Sequence, residues 1–585
     1  MSKQFPGIIE LNNDTVVEEM KDMSSHDHDH DHSTNSQHGS HTDISDIPFE
    51  EFLHYALIQR TQEEHSAHRL QSQVDQENPS STSYKNPFGR WTNQRLPLSK
   101  VTSFEATTVN MTDDQLERAN ARRALRQAGW AAVFYLITTD ILGPFNAPIA
   151  IAQLGYVLGI ILYSVMGIAA FYCGILLWRL FIHLDSDRYP VKTYSDIFER
   201  IFGRAASHVC NALQCLQLIV SVGVICLGNG QSLAQIVTGE SGTGYICFSI
   251  AIVIWALIGM VVGQIRTLQS FSLLANFSVW VNLLLIVTSM GFIAHSLPNY
   301  AAALSSMGIP MGPVVTHAIS PLPATTKVNA VMQMVYAYGG AMIFPEIMAE
   351  MRRPMDFWKG MASAQFLIYT AYLIYGVFVY SYQGQFTLPL AYQGVSKYSW
   401  QTVGNVMGLI TGIIAAALYG NIGIKIIYAN IIEDWFKGPP LLSRKGHAIW
   451  SVMVVVYWAL AFVVGSAIPQ VENISSLIAA ICIMQFSYTF PPALRLGYDV
   501  LTDAMSEDAV YVPGNGTLGR KDSWKDSSRW RRGFLTGRVW FKALNFVLAV
   551  GFLAMAGLGM WGTGVSIQKA FEVSQASSFS CTAPV

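Results

Sequence analysis

The stretch Ile141-Leu142-Gly143-Pro144-Phe145-Asn146-Ala147-Pro148 decides how this chain is read. It lies near the middle of an apolar segment, Trp130 to Gln153, that is otherwise long enough to cross a bilayer as one helix. Proline removes a backbone donor and glycine lowers helix propensity, so the helix is expected to break there. Backbone left unpaired in hydrocarbon is costly, so a break persists only where protein or a solvated cavity satisfies it. A second segment, Ala330 to Met351, repeats the pattern with Tyr338-Gly339-Gly340-Ala341 and then Pro345. Paired interruptions at matching places in two halves of a chain point to the substrate site of a carrier.

Working outward, the 585 residues are 51% hydrophobic and only 13% charged, whereas a soluble domain carries about a quarter charged residues. The apolar residues come as long blocks rather than stripes. Eleven blocks are candidate spans, at 128–153, 155–182, 205–237, 244–264, 268–295, 328–350, 358–381, 402–432, 448–467, 472–494 and 537–561. The fold class expected is therefore an all-α integral membrane protein.

Lys and Arg are unevenly shared between the alternate intervals. One set holds twenty, among them Arg188, Arg266, Arg352, Lys437 and Arg520, and the other only Lys327, Lys397 and Lys569. Basic residues favour the cytoplasmic side, which predicts a cytoplasmic N-terminus and an outward-facing C-terminal tail over 562–585. No Walker-type phosphate loop occurs, which argues against an ATP-driven pump. No enzyme chemistry, cofactor, metal centre or nucleic-acid partner is expected.

Residues 1–127 read as a polar, disordered cytosolic tail, with a His/Asp run at His26–His32 too hydrophilic to build a core. Imidazole and carboxylate can bind metals, but a solvated, disordered tract is the simpler reading of the run. Thr112-Asp113-Asp114-Gln115 resembles a capping box that opens a short basic helix at the membrane surface. The tail is a place for cytosolic regulatory partners. No signal-peptide pattern precedes the first span, which is expected to serve as the membrane address. Six cysteines, Cys247 among them, fall inside the spans and read as small apolar residues; only Cys581 falls outside, so no disulfide framework is expected.

The two breaks open sets of five spans each. Five is odd, so the second set enters from the opposite side and the halves form an inverted repeat, with one extra helix at the end. Half-helix N-termini suit a carboxylate, and unwound carbonyls suit an ammonium or a coupling cation, so an amino acid fits both. Close helix packing is the competing explanation of Gly143 and Gly340, but it does not account for two breaks in register.

The residues 141–148 with Ala152-Gln153-Leu154-Gly155, and Tyr336-Ala337-Tyr338-Gly339-Gly340 with Pro345-Glu346-Ile347 and Met351-Arg352-Arg353-Pro354, resemble the first and sixth helices of the amino acid/auxin permease family. The Tyr419-Gly420-Asn421-Ile422-Gly423 stretch and the long tail are most similar to fungal members. The resemblance covers roughly 120–565 and implies a leucine-transporter-like fold of eleven helices and cation-coupled amino acid transport. Ile141 departs from the glycine often found there in the family. By the same resemblance Leu142, Gly143 and Pro144 border the carboxylate site, and Tyr336, Tyr338, Gly339 and Gly340 line the amino-group side.

A buried ionisable residue costs at least about 2.5–3.5 kcal/mol in a membrane and is a functional candidate by default. Asp140, Glu346, Glu350 and Lys425 qualify. Sodium-coupled relatives of that fold place a hydroxyl of helix eight on the ion, but this chain has no Ser or Thr from Gly412 to Asp434. Asn421 and, one turn on, Lys425 stand there instead. An ammonium can take a cation's place or handle protons, whereas a lysine near a helix end can also snorkel to the interface. The ion-coupling set expected is Lys425, Asn421, Asp140 and Glu346. The sequence thus predicts proton-coupled uptake of neutral amino acids at a plasma membrane. A vacuolar exporter and an amino-acid sensor that binds without transport remain as alternatives.

Overall fold

In a computed structural model, residues 47–77, 126, 128–143, 146–240, 244–265, 268–439, 441, 443–467, 470–509, 511, 519–572 and 578–581 are described. The His/Asp run, the Thr112 capping box, Pro144 and Phe145 lie outside them. Without alternating polarity the apolar blocks satisfy their backbone as helices, and among the described residues β-pairing is limited to two isolated bridges.

The first block is α2 (Trp130–Ile141) and α3 (Ala147–Leu154), preceded by an N-terminal helix α1 (Phe49–Glu77). Next come α4 (Tyr156–Leu184), α5 (Tyr194–Phe202), α6 (Arg204–Thr238), α7 (Phe248–Val262), α8 (Leu268–Ala294) and the short α9 (Tyr300–Met307). The second broken block is α10 (Ala324–Ala337) and α11 (Phe344–Ala349). It is followed by α12 (Phe357–Gln383), α13 (Tyr398–Ile427), α14 (Arg444–Ala467), α15 (Val471–Ile478) and α16 (Phe490–Ala504), with π-helical turns at Tyr428–Trp435, Ala479–Ile483 and Gln485–Thr489. The chain ends with α17 (Ser527–Leu535) and α18 (Val539–Glu572).

Among the described residues, eight helical stretches are long and apolar enough to cross a membrane, and Trp130–Ile141 and Phe248–Val262 are shorter apolar helices. Position in the bundle follows burial. The most apolar part of Val471–Ala504 is 78% buried and that of Val539–Phe571 only 17%, so α15–α16 run through the centre and α18 along the edge. Exposed Val547, Val550 and Leu553 on α18, like Ile161 and Ile168 on α4, give the outside an apolar belt.

Two expectations change at the ends of the chain. Part of the stretch read as a disordered tail is α1, docked through buried Phe52 and Ala56 one turn apart. Arg60 pairs with Asp185 at 2.9 Å, Tyr189 donates to Glu51 at 2.6 Å, and Arg520 meets Glu50 at 2.8 Å. A stripe of two small contacts inside a polar helix is too weak to emerge from hydropathy. At the other end α18 continues to Glu572, past the predicted tail boundary at 561. The reading of Cys247 as a simple apolar residue is also corrected. It is disulfide-bonded to Cys581, because the backbone of Ser580 and Cys581 runs against the start of α7, with Phe248 N–H donating to the Cys581 carbonyl at 3.0 Å.

Candidate functional site

The first break is held by its neighbours. α2 ends at Ile141 and α3 begins at Ala147 with Pro148 in its first turn, where proline needs no donor. Between them, Tyr372 of α12 donates from its hydroxyl to the Ile141 carbonyl and accepts from Gly143 N–H at 2.9 Å. Asn282 of α8 donates to the Leu142 carbonyl at 2.9 Å, and Tyr419 of α13 donates to the Asp140 carbonyl at 3.1 Å. The backbone of α12 can approach both half-helices because it carries Gly360 beside Trp130 and Val133, and Gly376 beside Ala147 and Ile151.

The second break closes on itself. Gly339 N–H donates to Tyr336 O at 3.1 Å, Gly340 N–H to Tyr338 O at 3.0 Å, and Ile343 N–H to Gly340 O at 3.3 Å. Gly340 has φ −125°, so it is required by close approach and not by a left-handed backbone. A Cβ there would lie 2.5 Å from Asp140 Oδ2 and 2.6 Å from Ile141 Cγ1. The two breaks therefore meet, with the Asp140 carboxylate at the seam. Asp140, Tyr336, Gly339 and Tyr419 are only half-buried, whereas Ile141, Leu142, Gly143 and Gly340 around them are buried. Tyr338 is buried. Its ring packs on Tyr163 and its hydroxyl donates to the Tyr163 carbonyl at 3.2 Å, beside Gly167.

Beyond the breaks, the half-helices are tied at both ends. At one end the chain before α2 pairs with the chain after α11: Ala128 N–H donates to Glu350 O at 3.2 Å and Arg352 N–H to Ala128 O at 2.9 Å. At the other, Glu472 of α15 accepts from Gln153 of α3 at 2.6 Å and from Asn329 of α10 at 2.8 Å, while Gln333 donates to the Glu472 carbonyl at 2.6 Å. Glu472 was not singled out from the sequence. An acid at the very start of an apolar block was the available signal.

Over residues 126–498, well over half of its length, the sequence matches the family described as transmembrane amino acid transporter protein. The chain belongs to that family. Among similar proteins is an N amino acid transport system protein of Neurospora crassa, 23% identical over 423 residues, which cover 70% of this chain and 86% of the relative. A transmembrane transporter of Fusarium pseudograminearum is 26% identical over 160 residues, 26% of this chain and 32% of the relative. One of Gibberella moniliformis is 25% identical over 199 residues, 33% of this chain and 38% of the relative.

Within this amino acid transporter the four ion-coupling candidates do not form one cluster. Asp140 stands at the seam. Glu346 lies on α11, where Gln214 of α6 donates to its Oε1 at 2.9 Å and its Oε2 is buried without a hydrogen-bond partner. Asn421 donates to the Ile265 carbonyl after α7 at 2.6 Å. Lys425 lies within electrostatic reach of Glu350, just beyond the end of α11. Asn229 and Gln231 are buried in α6, and a Cβ at Gly412 of α13 would meet Asn229 Oδ1 at 2.5 Å, so Asn229 belongs to a close helix–helix seam.

Proposed function

We propose that the protein is a secondary active transporter that takes up neutral amino acids with protons across a plasma membrane. The observation that carries this reading is the meeting of two interrupted helices at a half-open seam. Such a seam serves as a mid-membrane substrate site in carriers built from repeats. The proposal takes the architecture as eleven crossings in a five-plus-five inverted repeat plus α18, with the short apolar helices and the broken α10–α11 counted among the crossings. The side holding Arg352, Lys437 and Arg520 is then cytoplasmic, and so is the N-terminus. The Cys247–Cys581 bond supports this orientation, because a disulfide persists on the side away from the reducing cytosol.

Leu142, Gly143 and Pro144 with Tyr336, Gly339 and Gly340 form the substrate site in this reading, and the Tyr338 backbone completes the turn. Glu346 carries the proton: it is a half-buried carboxylate on α11, away from the seam, with one oxygen left unpaired, so no substrate cation offsets its charge and neutralisation is the cheapest way to keep it there. Asp140 shares the seam. Lys425 and Asn421 supply a fixed cation and its polar neighbour at the cytoplasmic exit, opposite Glu350. A relative named for amino acid transport supports the substrate class.

The test uses the full chain in sealed proteoliposomes with a panel of radiolabelled amino acids. Accumulation driven by an imposed inward proton gradient, unchanged when sodium is replaced by choline, is the expected result. Binding that saturates at stoichiometric amounts without accumulation, or a strict sodium requirement, would overturn it.

A further inference from the structure

The expected acceptor for a substrate ammonium at such a seam is unwound backbone carbonyl, but here the first break has little of it to offer. The Asp140, Ile141 and Leu142 carbonyls each already accept from a side chain, Tyr419, Tyr372 and Asn282 respectively. In the second break the Tyr336, Tyr338 and Gly340 carbonyls accept from Gly339, Gly340 and Ile343. Three side-chain acceptors around the first break are buried without a hydrogen-bond partner, Asp140 Oδ1, Asn146 Oδ1 and Asn282 Oδ1, and of these only Asp140 can carry a charge. The other carboxylate oxygen lies where only a glycine fits, against Gly340. Among the described residues no Lys, Arg or His approaches Asp140 within ion-pair distance.

The surroundings suit a cation. Tyr336, Tyr372 and Tyr419 all lie within electrostatic reach of the carboxylate. α2 and α10 both end at the seam, so their C-terminal partial negative charges fall beside it. A carboxylate–ammonium hydrogen bond is roughly twice as strong as a neutral one, which favours the carboxylate over a carbonyl that already holds one donor.

We infer that Asp140 binds the substrate's protonated amine directly and that the protein selects ligands by a free primary ammonium, with the carboxylate of secondary weight. This rests on the seam being the substrate site. It assigns the proton to Glu346, because Asp140 is occupied by substrate during transport. Amides and methyl esters of accepted amino acids are then ligands. N-acetyl and deamino analogues, which keep the carboxylate and side chain but lose the cation, are not.

The experiment measures ligand binding to the full chain in nanodiscs by thermal shift and by competition with a radiolabelled neutral amino acid. The expected result is that the amide and methyl ester compete within about tenfold of the parent. The N-acetyl and deamino analogues should lose at least about tenfold, the loss expected when a hydrogen bond to a charged group is removed. Asp140→Asn should weaken the parent by a similar factor while Asp140→Glu retains measurable binding. Equal binding of the N-acetyl analogue, or an Asp140→Asn variant that binds like wild type, would overturn the inference. If neither variant is monodisperse, the analogue series on the wild-type protein decides alone. Binding with the predicted amine requirement but no accumulation would instead sink the transport reading and leave Asp140 in place.

Discussion

The two interruptions have similar sequence and opposite construction. The first is pinned from outside: Tyr372, Asn282 and Tyr419, from three different helices, hold the backbone between Asp140 and Gly143. The second satisfies its own backbone with consecutive tight turns and touches the first through a glycine. A break held by three separate helices moves only when those helices move. The second break draws fewer partners from outside, among them Gln214 of α6, which donates to the Met342 carbonyl at 3.3 Å.

The strongest way to break this contrast is Gly340→Val. Its Cβ alone would meet Asp140 and Ile141, so the seam has to open. Uptake is expected to vanish at matched surface expression; normal uptake would show that the breaks do not meet in the working protein. Tyr372→Phe comes next. It leaves the Ile141 carbonyl and the Gly143 N–H unpaired, at about 1–3 kcal/mol for each buried group. Uptake should fall at least about tenfold and the melting temperature of the purified protein should drop. An unchanged melting curve would show that the first break is not held from outside.

Lys425→Ala tests the proposed role of that lysine apart from the seam. Because the charge within its reach is Glu350, substrate affinity should stay within about twofold, or about 0.4 kcal/mol. Accumulation against a gradient should fall when initial rate and plateau are measured in proteoliposomes. A large loss of affinity would move Lys425 to the first break. The smallest effect is expected from Tyr338→Phe, which removes one interhelical hydrogen bond worth about 0.6 kcal/mol. A strong loss of binding in that variant would place the Tyr338 side chain against the substrate.

Both breaks were legible in the sequence because Gly143, Pro148, Gly339, Gly340 and Pro345 act through local backbone geometry. What completes them was not. Tyr372 reaches Ile141 across 231 positions and Asn282 reaches Leu142 across 140, and a tyrosine or asparagine in an apolar helix carries no mark of its partner. The docking of α1 was hidden for a related reason: Phe52 and Ala56 are a thin stripe, and Arg60 looks like any solvated arginine until Asp185 is placed beside it. Glu472 was hidden by its position at the boundary of a block, where an acid reads as interface. The contact of Tyr338 with Tyr163 was hidden in the same way, since a tyrosine inside a break carries no mark of the helix its ring packs against.

The bond between Cys247 and Cys581 spans 334 positions and encloses everything from α7 to the end of α18. A protease that nicks the long connection between α16 and α17 would therefore yield two pieces that still travel as one band on a denaturing gel. They would part only when a thiol reductant is added. That mobility shift reads out, without a label or a ligand, whether the tail has reached an oxidising compartment and found its partner.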